Sequence, residues 1–256
     1  MKIVRFSTGA DPSYGILDEE ENELVVLAGD PMFSGYQPTG ARVPIADARI
    51  LAPVIPRSKV VAVGKNYAEH AREMGGEAPE APLLFLKPNT AVIGTGDAIV
   101  LPPESSQVEH EGELAIVIGR IAKNVSAEDA EDVIFGFTAA NDVTARDLQK
   151  ADGQWARAKG YDTFCPLGPV IETEFDWSAA DISTRVDGEV RQSGNTRDMI
   201  HTIPEIVAYA SGIWTLLPGD VILTGTPAGV GPFVHGQTVE VEIEGIGTLS
   251  NPARNR

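Results

Sequence analysis

The segment SSQVEHEGELAIVIGR, residues 105 to 120, carries Glu109, Glu111 and Glu113 at every second position ahead of an apolar run. Side chains alternate across an extended strand, so acids at this spacing share one face. Carboxylates lined up beside a hydrophobic core are costly unless a positive group lies among them. One reading is a cation site, with Asp142 of TAANDVTARD as a third carboxylate. Three carboxylates plus water suit Mg2+, Mn2+ or Ca2+. The other reading is a solvated strand edge, with Asp142 as a helix N-cap or turn residue. Spacing alone does not decide between them. Glu240, Glu242 and Glu244 alternate with Val239, Val241 and Ile243 in the same way, and read as the wet face of a half-buried strand.

Other residue types point to acid–base work. In NYAEHAREMGG, His70 and Glu73 stand at i, i+3 and share one face of a helix. A carboxylate that orients an imidazole and raises its basicity makes a general base for water. The pair Gly75 and Gly76 would let this helix hinge as a lid. An incidental surface pair is the competing account. Lys159, near Arg157 in RAKGYDTFCPLGP, offers a point charge for an enolate or a carboxylate, or is simply solvated. LTGTPAGVG, residues 223 to 231, fits neither the P-loop nor the Gly-x-Gly-x-x-Gly pattern. Its amides and Thr226 could still cradle a carboxylate, or form only a tight connection.

The elements that must position these residues are mostly strands. Glycine (26) and proline (18) fall between short Val/Ile-rich runs, which predicts a β-rich α+β fold. Strands are expected at 2–6, 24–27, VVAVG (60–64), ELAIVIG, DVILTG and QTVEVEIEGIGTLSN. Residues 30–44, DPMFSGYQPTGARVP, have the composition of a loop. Helices are expected over 66–75, over SAEDAEDVIFG with Ser126 as N-cap, over TARDLQKADG, and over TIPEIVAYASGIW. The last has Thr202 and Glu205 at capping-box spacing and an apolar face of Ile206, Val207, Ala210 and Trp214. A small N-terminal unit over 1–52 and a main domain over 53–256 follow.

Bulk properties narrow the partners. The 256 residues are 43% hydrophobic, enough for a large core. With 37 acidic and 20 basic side chains the formal net charge is −17, which disfavours nucleic acid and anionic membranes. A small anionic substrate in a local basic pocket remains compatible. Cys165 is the one cysteine, so an intramolecular disulfide is impossible and cysteine-based zinc is disfavoured. No signal-peptide core is evident, nor any apolar run near the ~18 residues of a membrane span. A soluble, cytoplasmic protein is the expectation.

Taken in order, VGKNYAEHAREM, LFLKP, VEHEGELAIVIG, NDVTARDLQ, RAKGYDTFCPLGP, DGEVRQSGNTRDMI and LLPGDVILTGTPAGVG resemble the fumarylacetoacetate hydrolase family, from about Val60 to Gly231. The resemblance implies a mixed β-sandwich or β-roll with a small N-terminal domain, Mg2+ or Mn2+ (Ca2+ as a crystal substitute), and a homodimer. Glu111, Glu113 and Asp142 match the family's metal ligands. His70 and Glu73 match the lid-helix dyad, and Lys159 the active-site lysine. Arg146 and Gln149 match residues that face the ligand, Thr226 the substrate-carboxylate loop, and Lys87 the lysine of FLKP. Glu109 matches no ligand and stays structural; His110, on the other strand face, reads as packing or support. The short N-terminal part is similar to that of the smaller members. These act as acylpyruvate hydrolases, oxaloacetate decarboxylases, or isomerases of 2-hydroxyhepta-2,4-diene-1,7-dioate type. The dyad favours hydrolysis of a 2,4-diketo acid such as fumarylpyruvate or acetylpyruvate through a metal-bound enolate. Outside catalysis, a cation-binding β-sandwich or a purely structural protein with acidic strand faces would share the acidic pattern, but neither needs the dyad or Lys159.

Overall fold

The computed structural model describes residues 1–9 and 11–256. Its main feature is a 12-stranded mixed sheet. The path through it runs Pro38–Pro44, Glu23–Leu27, Ser13–Asp18, Lys2–Ser7, Cys165–Glu172, Ile134–Asn141, Gly112–Ile118, Val221–Leu223, Val60–Gly64 and Leu83–Lys87. A five-stranded sheet contains the hairpin Asp181–Val186/Glu189–Asn195, then Thr238–Ile243, Gly247–Asn255 and Ile99–Leu101. A three-stranded ribbon joins Thr144–Ala145, Val108–His110 and Gly231–Pro232. The architecture is the β-rich α+β one expected.

Gly112–Ile118 is buried at all seven positions, because it lies centrally in the large sheet with packing on both faces. One core cluster unites Leu114, Ile116 and Ile118 with Ile182, Val241, Ile243 and Leu249 of the five-stranded sheet. The two sheets therefore pack face to face through alternating side chains. Thr238–Ile243 buries Val239, Val241 and Ile243 and turns its glutamates outward, as its alternation predicts.

The helix Ile203–Ile213 has the expected capping box between Thr202 and Glu205. It buries Ile206, Val207 and Ala210 against the sheet, while Trp214 is only half-buried at its end. Two expectations need correction. Residues 30–44 are not a loop throughout: Pro31–Ser34 is a short helix and Pro38–Pro44 an edge strand with almost every side chain exposed. The strand hid because it has no buried face to impose alternation. The helix expected after Ser126 reduces to one 3-10 turn, Ala130–Val133. The Ser126 hydroxyl instead bonds the Asp129 carboxylate at 2.9 Å, a local turn that competes with a helix start.

Candidate active site

The acidic stretch does not form one continuous strand. It breaks at Glu111, between Val108–His110 of the ribbon and Gly112–Ile118 of the large sheet. The break leaves Glu109 outside the cluster that Glu111 and Glu113 join, although Arg146 reaches both Glu109 and Glu111. Strand pairing brings in the third acid: Gly112 lies opposite Asn141, and the Asp142 amide donates to the Glu111 carbonyl at 2.8 Å. Oxygens of Glu111, Glu113 and Asp142 come within 4.8 Å of one another, all three residues buried. The solvated-edge reading of Glu111 and Glu113 is thus set aside.

Cations surround the trio. Lys159 Nζ lies 2.7 Å from both Glu111 Oε2 and Asp142 Oδ2. Lys87 Nζ is 2.6 Å from Asp142 Oδ1 and also donates to the Lys159 carbonyl, tying the FLKP strand to the helix Ala156–Gly160. Arg146 reaches Glu109 through Nε at 2.7 Å, Glu111 through Nη2 at 2.5 Å and Gln149 through Nη1 at 2.6 Å. Among the described residues Glu113 forms no ion pair, and it accepts the Gly225 amide at 2.7 Å.

The electrostatics follow from this asymmetry. Burial pushes the Glu111 carboxyl up, but Lys159, Arg146 and His70 outweigh it and hold the group below the usual carboxylate range. Burial and the neighbouring charges of Asp142 and Glu111 push Glu113 well above that range. Burial pulls Lys159 down, yet Asp142 and Glu111 more than restore it, so it stays cationic. Counted as fully ionised, four carboxylates (Glu109, Glu111, Glu113, Asp142) would outnumber three cations (Lys87, Arg146, Lys159) by one charge, and the upward shift of Glu113 opposes that excess. A divalent cation fits this donor set: hard oxygens, buried, crowded by like charge.

Glu111, Glu113, Asp142, Arg146 and Lys159 line a cavity of about 180 Å³ with His70, Gln149 and Thr226. Its apolar wall is Val63, Met74, Phe85 and Trp155. Phe85 and Trp155 meet edge to face at 5.1 Å between centroids. His70 is buried on the helix Ala68–Glu73, with Nδ1 3.2 Å from Glu73 Oε2. Both Glu73 oxygens also accept the Gly229 amide at 3.2 Å, which docks the end of this helix on the Thr/Gly loop. All ten site residues expected from the sequence therefore converge: eight line the cavity, Glu73 holds His70, and Lys87 holds Asp142 from behind.

Two further residues support the site: Glu109, in the structural role expected of it, and Gln192, which escaped sequence reasoning. Glu109 is the buried counter-ion of Arg146, steadied by Gln107 Nε2 at 2.6 Å. Gln192, 82 residues away in the chain, bonds His110, Gly112, Thr226 and Pro227. No local pattern marks a partner at that separation. The buried thiol of Cys165 is pushed up to about 12 by desolvation, which disqualifies it as a nucleophile.

The chain is similar to several known proteins. Residues 1–53 match the family described as Rv2993c-like, N-terminal. Protein Rv2993c of Mycobacterium tuberculosis is 57% identical over 264 residues, covering 98% of this chain and 97% of that protein. Oxaloacetate tautomerase FAHD2A, mitochondrial, of Bos taurus is 46% identical over 81% of this chain and 70% of its own length. Among solved structures, 5-carboxymethyl-2-hydroxymuconate delta-isomerase from Mycobacterium smegmatis superposes with a TM-score of 0.93 at 49% identity, over 100% of both chains. Maleylpyruvate hydrolase from Sphingobium sp. SYK-6, in complex with manganese(II) and pyruvate, gives 0.82 at 32% identity, over 100% of this chain and 99% of that one. Such relatives support an enzyme of a divalent-metal-dependent family. Residues 59–254 match the model described as Fumarylacetoacetate (FAA) hydrolase C-terminal, and the chain belongs to that family.

Proposed function

We propose that this enzyme is a hydrolase that cleaves a C–C bond of a small anionic 2,4-diketo acid, an acylpyruvate such as fumarylpyruvate or acetylpyruvate. The observation that carries this reading is the His70–Glu73 pair on the wall of the cavity that holds the three carboxylates and Lys159. A cation-binding or purely structural role requires no such base. Glu111, Glu113 and Asp142 would hold the cation, Mg2+ or Mn2+ by the hardness of the donors. Bound there, it supplies Lewis-acid polarisation of the 2-oxo acid head. Lys159 adds a fixed positive charge beside that head. Glu73 accepts from Nδ1–H of His70, which leaves Nε2 as the basic nitrogen. Nε2 takes a proton from water as the water oxygen bonds to C4. The C3–C4 bond then breaks with its electron pair on C3, and His70 returns the proton there. A carboxylic acid and pyruvate result.

A second reading is favoured by the names of the tautomerase and isomerase relatives. It is conversion of oxaloacetate, by decarboxylation or tautomerisation, or isomerisation of 2-hydroxyhepta-2,4-diene-1,7-dioate. None of these needs a nucleophilic water. A homodimer, and a division into a small unit over 1–52 and a catalytic domain over 53–256, complete the proposal; the family resemblance supports the first.

A panel of acetylpyruvate, fumarylpyruvate, oxaloacetate and the heptadienedioate, with Mg2+, with Mn2+ and with excess chelator, tests both readings. The expected outcome is metal-dependent hydrolysis of a 2,4-diketo acid, lost on chelation. His70→Ala should lower that hydrolysis by about 10²–10⁴-fold while sparing oxaloacetate decarboxylation. Equal loss of both activities would reduce the pair to shaping its helix, and full turnover in chelator would remove the metal from the scheme.

A further inference from the structure

Hydrogen-bond accounting around Thr226 fixes what its hydroxyl can do. The Gln192 side-chain amide has an unambiguous orientation. Its Oε1 accepts the Gly112 amide at 2.9 Å, and its Nε2 donates to the Pro227 carbonyl at 2.8 Å. Both partners have one role only, so the amide cannot be flipped. Nε2 therefore donates its other hydrogen to Thr226 Oγ1, at 2.7 Å. The Thr226 hydroxyl in turn donates its single proton to the Gly112 carbonyl at 2.8 Å. A hydroxyl has one proton and two acceptor positions. Here the proton and one acceptor position are spent within the protein. What remains for the cavity, which Thr226 lines, is a single acceptor lone pair.

An acceptor lone pair repels a carboxylate and suits a group that carries a proton, so the substrate-carboxylate role expected of this loop does not extend to the Thr226 hydroxyl. On the opposite account, His70 is also an acceptor toward the cavity. Its Nδ1 is engaged by Glu73, and among the described residues Nε2 has no hydrogen-bond partner. Water is the molecule with two protons to offer two acceptors. We propose that Thr226 is a water-positioning residue, locked as an acceptor by Gln192 and the Gly112 carbonyl, which together with His70 Nε2 orients the nucleophilic water. Gln192 acts through Thr226 and is a positioning residue. The assignment rests on the hydrolytic reading above.

The test compares Thr226→Val, Thr226→Ser and Gln192→Leu in the full-length protein. For hydrolysis of the 2,4-diketo acid, Thr226→Val should lower kcat about tenfold or more while KM stays within about twofold, because the interaction is with water and not with substrate. Thr226→Ser should restore most of kcat. Gln192→Leu should move in the same direction as Thr226→Val. The second readout is pyruvate binding to the Mn2+-loaded protein by calorimetry, which needs no hydrolysis. Thr226→Val should leave the pyruvate Kd within about twofold of the parent. A weakening of tenfold or more, with the kinetic loss falling on KM, would put the hydroxyl on the carboxylate and overturn the proposal. If the parent protein hydrolyses no member of the panel, the hydrolytic reading fails. The pyruvate comparison then still decides whether Thr226 donates to a carboxylate or is restricted to accepting.

Discussion

At the scale of single residues, burial converts an ordinary acid into a structural commitment. Glu109 has the same spacing as Glu111 and Glu113 and a different task. It is 6% exposed and holds Arg146, which in turn reaches Glu111 and Gln149. Removing Glu109 leaves Arg146 still paired with Glu111, so the cost is that of a lost buried charged hydrogen bond, about 1–3 kcal/mol. Glu109→Ala should therefore lower unfolding stability in urea by roughly that amount. A loss below about 0.5 kcal/mol, typical of a solvated strand face, would contradict the buried pair. The contrast with Gln192 shows what was legible. Glu111 and Glu113 are two residues apart and His70 and Glu73 three, so spacing offers each pair as a candidate. Arg146–Glu109 and Gln192–Thr226 are contacts over 37 and 34 residues, created by strand pairing, and no local period encodes them.

Among the elements, those with a clear apolar alternation or a continuous apolar run were readable, whereas exposed strands, and Asp181–Val186 with its weak polar-rich alternation, were not. Thr238–Ile243 and Ile203–Ile213 announce themselves through periods of two and about 3.6. Pro38–Pro44 and Ser13–Asp18 do not, since the first is exposed and the second only partly covered. The parallel pair Val60–Gly64/Val221–Leu223 depends on something else again: a buried carboxylate at its entrance. Asp220 accepts from the amides of Ser58, Lys59 and Leu217 and from the Ser58 hydroxyl, and Lys59 Nζ is 2.7 Å away. Burial raises its carboxyl, but the Lys59 ammonium, the amides and Ser58 outweigh burial and bring it below its ordinary value. A depressed folded value means that the stabilisation is complete above the unfolded-state value of about 3.9, and is lost as pH falls through the folded one. Asp220→Asn should cost about 3 kcal/mol at pH 7, and the gap to the parent should narrow below about pH 4. A gap that stays constant from pH 7 to pH 3 would mean that Asp220 acts through shape alone.

For the whole molecule, the question is whether the first 52 residues are an appendage or part of the wall. Their strands continue the large sheet. Lys2–Ser7 pairs with Cys165–Glu172, so the N-terminal unit closes the edge of a strand that also flanks Ile134–Asn141. Ile3 belongs to the cluster that holds Ala115, Val117 and Leu223, while Val4, Phe6 and Leu24 join the one that holds Leu114 and Ile116. Each such side chain contributes about 1.5–3 kcal/mol by leaving water, so these four alone supply ~6–12 kcal/mol before entropy is counted. That is comparable with the whole net stability of a domain, about 5–15 kcal/mol. The full chain should consequently unfold in a single thermal transition, coincident by far-ultraviolet circular dichroism and by the fluorescence of Trp155, Trp177 and Trp214, all of which lie outside the N-terminal unit. The fragment 53–256, with Cys165–Glu172 stripped of a partner, should show no cooperative transition of its own or aggregate through that open edge. A fragment that melts cooperatively within a few degrees of the full chain would make the N-terminal strands dispensable, and the continuity of the sheet would then carry no energetic weight.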